Sequence, residues 1–159
     1  MVNEESNRFM QMAVELSRKG SESIKGGPFG AVVVKDGVVI GEGYNSVLIL
    51  NDPTAHAEVM AIRDACNHLD SFCLEGCVIY STCEPCPMCL GAIYWARPSR
   101  VYYASTRFDA ATAGFDDAFI YSEVAREPGK RTIPMIFMTC PEVHEVFKAW
   151  IKNPDKVSY

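Results

Sequence analysis

An α/β domain with helices on both faces of a mixed sheet is the fold this sequence predicts, on three observations. A helical apolar stripe opens the chain, with Phe9, Met12, Ala13 and Leu16 on one face. Asp36-Gly37, set between two apolar runs, is a strong hairpin signal. Beyond it, strand-like runs alternate with helix-like ones. That order predicts three layers, α/β/α, on a mixed sheet of about five strands.

Each element has its own signal. The first helix covers 4–19 and stops at Gly20. Gly26-Gly27-Pro28-Phe29-Gly30 is a turn-rich loop. Strands at 31–35 and 38–43 flank the hairpin turn. Asn51-Asp52-Pro53-Thr54 is a turn in which Thr54 is placed to cap a helix over about 55–66. A strand follows at 78–82, then a helix at 86–96 that Pro98 closes. Residues 101–104 form another strand and 107–125 contain short helices. The last strand is expected at 133–138, a helix near 142–152, and a polar tail after it. No repeat, low-complexity tract or linker interrupts the chain, so 1–159 is expected to be a single domain.

Composition narrows the class. A chain of 159 residues buries roughly 70% of its unfolded surface, enough for a core of its own. With 48% hydrophobic and 22% charged residues it reads as an ordinary soluble globular protein. No secretory signal opens it and no apolar run reaches membrane-spanning length, so a cytoplasmic protein is expected. The net charge of −5 and pI near 5.2 argue against a phosphate-backbone partner, which usually meets a basic patch. Seven cysteines are many, and odd in number. In a reducing compartment they read as thiols or metal ligands. Cys66, Cys73, Cys77 and Cys140 are scattered and suit small core positions. Cys83, Cys86 and Cys89 recur every third residue and need another explanation.

Two fragments carry the chemistry: His56-Ala57-Glu58 and Pro85-Cys86-Pro87-Met88-Cys89. Each begins a predicted helix. Three-residue spacing puts Cys86 and Cys89 on one side of theirs, and the helix N-terminus favours thiolate. One imidazole and two thiolates form a donor set that suits Zn²⁺ and leaves the fourth tetrahedral position for water, as catalytic sites do. Glu58 is two residues from His56, close enough to move protons without ligating the metal. The arrangement His-x-Glu with Pro-Cys-x-x-Cys is the zinc nucleobase deaminase pattern. Cys83 leaves an alternative open, because a third thiolate would close the site as a structural one. His68 and His144 lie away from both fragments and read as ordinary surface or core histidines.

The match extends further. Gly26–Val32, the run Asn51-Asp52-Pro53-Thr54-Ala55-His56-Ala57-Glu58 and the run Cys83-Glu84-Pro85-Cys86-Pro87-Met88-Cys89-Leu90-Gly91-Ala92 resemble the cytidine deaminase-like superfamily. Ile93-Tyr94-Trp95-Ala96-Arg97-Pro98 and Ala113-Gly114-Phe115-Asp116-Asp117-Ala118-Phe119-Ile120-Tyr121 are similar to the bacterial-type guanine deaminases within it. The resemblance implies the cytidine deaminase-like fold, one zinc per subunit, and a purine base as substrate. It implies Phe29, Asn45, Asp117 and Tyr159 as base-binding residues, with Trp95 at the pocket wall and Asp117 also assisting proton transfer beside Glu58. It implies as well a homodimer that exchanges a C-terminal segment of about 142–159, so that Tyr159 acts on the partner's site. On residue chemistry alone Asn45 reads as a turn residue, Asp117 as a solvated carboxylate, Trp95 as core and Tyr159 as a loose terminus.

The rivals are a guanosine deaminase, a tRNA adenosine deaminase, a cytosine deaminase and a zinc-stabilised binding module without catalysis. Acidic charge opposes the tRNA enzyme. The binding module would need four protein ligands and would unfold on chelation.

Overall fold

A computed structural model describes residues 4–22 and 26–158. Contacts gather into two compact units, Met1–Asp117 and Ala118–Tyr159.

The first unit opens with α1 (Glu4–Glu22) and a hairpin of β1 (Gly30–Lys35) and β2 (Val38–Tyr44). Asp36 and Gly37 both take positive φ, 49° and 76°, the pair of left-handed residues that a type I′ turn demands. Next come α2 (Val47–Leu50), α3 (Ala57–Leu69), β3 (Val78–Cys83), α4 (Pro87–Ala96), β4 (Arg100–Ser105) and α5 (Arg107–Thr112). The sheet order is β2-β1-β3-β4. β1 pairs antiparallel with β2 and β3, and β3 pairs parallel with β4. The sheet is therefore mixed.

Ala31 to Val34 of β1 are all buried, because helices cover both faces of the strand. Side chains alternate across it. Val32 and Val34 pack with Phe9, Met12 and Leu16 of α1 and with Tyr80. Ala31 and Val33 pack with Ala57, Ala61 and Ala65 of α3 and with Ile93 and Ala96 of α4. These two clusters are the contacts between the three layers.

Two glycines set how closely α3 approaches. A Cβ on Gly41 would sit 2.5 Å from the Ala61 carbonyl oxygen, and one on Gly43 would run into the Ala57 carbonyl. Only hydrogen at these positions lets the alanine face of α3 settle on β2, which fixes where the N-terminus of that helix projects. At the other helix, Arg97 turns left-handed (φ 58°) after Ala96, and Pro98 prevents continuation.

Two expectations are corrected. Thr54 does not cap α3: the N-cap is His56, and the Thr54 hydroxyl donates to Asp52 Oδ1 at 2.7 Å. The Thr54 backbone amide donates to the same oxygen, an Asx turn that leaves Thr54 two residues short of the N-cap of a helix that starts at Ala57. The strand expected at 133–138 is also absent; the mixed sheet of about five strands has four among the described residues.

The second unit holds α6 (Ala118–Ala125), a 3₁₀ turn at Pro128–Lys130 and α7 (Pro141–Lys152). Residues 133–138 are irregular between them. Their composition is strand-like, but a strand needs a paired backbone, and Pro134 removes one donor. Ile133, Ile136, Phe137 and Met138 stand 81–87% exposed. No residue of 118–158 is buried.

Candidate metal centre

His56 and Cys86 occupy equivalent places, as the N-cap residues of α3 and α4. Both have extended backbones, with φ −72°, ψ 156° and φ −65°, ψ 168° respectively. This aims each side chain off the end of its helix. Cys89 follows one turn into α4. His56 Nδ1 lies 3.6 Å from Cys86 Sγ and 3.5 Å from Cys89 Sγ, and the sulfurs are 3.5 Å apart. Among the described residues these three form the one group of at least three His, Cys, Asp or Glu whose donor atoms all fall within 4.8 Å of one another.

The close sulfur–sulfur and sulfur–imidazole contacts favour a thiolate in the triangle. Hydrogen bonding to Cys89, and then to His56, holds the Cys86 thiol down at about 4 despite burial. Cys89 is pushed up, first by that same bond and then by burial. His56 is raised, chiefly by its contact with Cys86. A thiolate beside a second sulfur and an imidazole is a donor set for a soft-to-borderline divalent cation. Tetrahedral zinc, with sulfur at about 2.3 Å and nitrogen at about 2.0 Å, separates its ligand atoms by roughly 3.5–3.8 Å. The observed triangle has those edges, so the residues fit zinc.

Glu58, in the first turn of α3, is 5% exposed. Its Oε1 accepts a hydrogen bond from Ser81 Oγ at 3.0 Å, and Oε2 lies 3.4 Å from Cys89 Sγ. Burial lifts its carboxyl above the usual range. Cys83 is turned elsewhere. Its thiol donates to the Thr106 carbonyl at 3.6 Å, burial pushes it up to about 11, and it is no member of the triangle. The third-thiolate alternative therefore has no geometric support.

The segment after β4 is tied to the same strand end. Glu84 accepts from the Arg107 amide at 3.1 Å, and Thr106 and Asp109 form a reciprocal capping box on α5. Farther along lie Phe115 and Asp117. Phe115 meets half-buried Phe29 edge-to-face, with centroids 4.9 Å apart at 86°. Asp117 is half-buried; desolvation raises its carboxyl and the Cys86 charge pushes the same way. Asn45 is buried and clamps the glycine loop: its Oδ1 accepts from the Gly27 amide at 3.2 Å, and its own amide donates to the Phe29 carbonyl at 3.1 Å.

Trp95 is 65% exposed on α4 and so is not a core residue. His68 and His144 are exposed. Tyr159 lies outside the described residues. The sequence reading missed Ser81 and Phe115. Phe115 stood in view, within Gly114-Phe115-Asp116-Asp117. Ser81 could be found only by asking why a polar residue interrupts a buried apolar strand.

Residues 3–105 match the family described as the cytidine and deoxycytidylate deaminase zinc-binding region. The chain is 54% identical over 151 residues to the guanine deaminase of Bacillus subtilis, covering 95% of this chain and 97% of that protein. It is 43% identical over 98 residues to the tRNA-specific adenosine deaminase of Aquifex aeolicus, covering 61% of this chain and 64% of that one. The crystal structure of the Bacillus subtilis guanine deaminase superposes with a TM-score of 0.94 at 52% identity, over 99% of both chains. The donor triangle, the carboxylate beside it and these similarities agree, and the chain belongs to the cytidine and deoxycytidylate deaminase family of zinc proteins.

Proposed function

We propose that this protein hydrolyses guanine to xanthine and ammonia. The observation that carries the reading is 54% identity to a guanine deaminase over 95% of the chain, whereas a tRNA-specific adenosine deaminase that spans the same 95% is only 32% identical. The cofactor is Zn²⁺, with one ion per subunit held by His56, Cys86 and Cys89. When bound, zinc supplies the Lewis acidity that makes water a nucleophile near neutral pH.

The rest is the work of the chain's own residues. Glu58, through the Oε2 that faces the triangle, takes a proton as water attacks C2 and returns it to the adjacent ring nitrogen. Burial suits it to hold that proton. The C2–N bond then breaks, and Asp117, which accepts from the N–H groups of guanine, helps carry a proton to the leaving ammonia. Phe29 stacks on the purine face, braced edge-on by Phe115. Asn45 and Trp95 complete the pocket.

The active form is a homodimer in which segment 142–159 passes to the other subunit and the partner's Tyr159 closes the pocket. The second unit supports this reading. Along α7, Val143, Val146, Phe147, Trp150 and Ile151 are all exposed, a stripe that an isolated chain would not leave in water. No described helix is long and apolar enough to cross a membrane, and we place the enzyme in the cytoplasm.

One assay tests the substrate: ammonia release from guanine, guanosine, cytosine, cytidine and adenine, with zinc content measured on the same sample. Guanine alone should be turned over at one zinc per subunit. Preference for the nucleoside, or no ammonia from guanine, would overturn the reading.

A further inference from the structure

Ser81 is a polar side chain in a place that asks for an apolar one. Cys77, just before β3, and Ile79 and Ser81 along it alternate toward the face covered by α3 and α4, where Cys77 and Ile79 belong to the apolar core. Ser81 itself is 1% exposed. A buried hydroxyl is unfavourable unless it is hydrogen-bonded, and alanine or valine would serve the packing. This hydroxyl is bonded to the one side chain whose orientation matters most for proton transfer. Ser81 Oγ donates to Glu58 Oε1 at 3.0 Å and accepts from the Cys83 amide at 3.4 Å. The second bond takes up an acceptor site and leaves the hydroxyl hydrogen for Glu58.

The arm that carries the hydroxyl is stiff. Ser81 pairs with Ala31 of β1 on one side and with Tyr103 of β4 on the other, so ladders hold its backbone from both edges. Glu58 is the opposite case. The last torsion of a glutamate is broad and roughly two-fold, so a carboxylate without partners has no preferred twist. Anchoring one oxygen sets the other.

We infer that Ser81 is a positioning residue that pins Glu58 Oε1, so that Oε2 faces the His56–Cys86–Cys89 triangle. The inference rests on the proton-shuttle reading of Glu58 and assigns it a support on the rigid centre of the sheet.

The test uses zinc-loaded S81A, S81T, E58Q and the double variant S81A/E58Q. S81A should lower kcat about ten- to a hundredfold, the range typical of groups that orient a metal site's working residues. KM for guanine should stay within about twofold and zinc content unchanged, because neither the base nor the triangle is touched. S81T, which keeps the hydroxyl, should recover most of the rate. In the E58Q background S81A should cost nothing further, since there is no proton shuttle left to orient. Crystals of zinc-loaded S81A should show the Glu58 carboxylate rotated or split. An unmoved carboxylate with normal kcat sinks the inference, and so does an equal loss in the E58Q background, which marks a purely structural role. Normal turnover by E58Q is a different result: it removes the Glu58 assignment itself. Should E58Q fall below detection, the carboxylate orientation in the S81A crystals decides.

Discussion

At Glu58 two influences oppose each other. Burial lifts the carboxyl, while the hydrogen bond from Ser81 favours its charged form. A group balanced in this way can both accept and release a proton, whereas an exposed glutamate would stay charged. Glu58→Gln keeps the size and can still accept from Ser81, but it has no proton to give or take. Its kcat should therefore fall by about 10²–10⁴-fold with zinc content unchanged, measured by ammonia release and metal analysis. Normal turnover would show that another group moves the proton. The metal triangle was legible in the sequence because covalent spacing nearly determines it: three residues along a helix bring Cys86 and Cys89 together. Ser81 was not, because a serine in a strand is informative only once the register shows which face it meets.

At the scale of elements, the site depends on how closely α3 lies on β2. Gly43 faces the backbone of Ala57 and Ala61, which cannot yield as a side-chain tip can. Gly43→Ala should cost about 1–3 kcal/mol as overpacking. It should also weaken zinc retention, because the helix that must shift begins at His56 and Glu58. Thermal unfolding and competition with a chelator would measure the two effects. Lower stability with zinc affinity intact would mean that the helix end is held independently of the strand. Local signals predicted these elements well where one residue type satisfies one backbone need. Asp36-Gly37 gave the hairpin, and Pro98 gave the end of α4. They failed where the outcome depends on a competitor or a distant partner. Thr54 sits in an Asx turn with Asp52, and α3 begins beyond it with His56 as N-cap. Residues 133–138 have strand composition but no neighbouring strand in the described chain.

At the scale of the molecule, the apolar surface of 118–158 is the feature least compatible with a chain acting alone. Phe137 is 87% exposed and Phe147 61%, and apolar area of this kind is usually covered by a partner. The proposed exchange of an end between identical chains would cover it at low cost, because the contacts it makes are those already encoded. The proposed exchange separates two requirements of one active site: Glu58 from one subunit and the tail from the other. Deleting residues 155–159 should lower kcat sharply while zinc stays bound, and Glu58→Gln should be inactive for its own reason. Unfolded together and refolded as a mixture, the two inactive proteins should regain activity. In a mixed dimer the truncated chain supplies Glu58 while the E58Q chain lends an intact tail, so one of the two sites is whole. A tail acting within its own chain would leave every site in the mixture lacking one group or the other, and no activity would return.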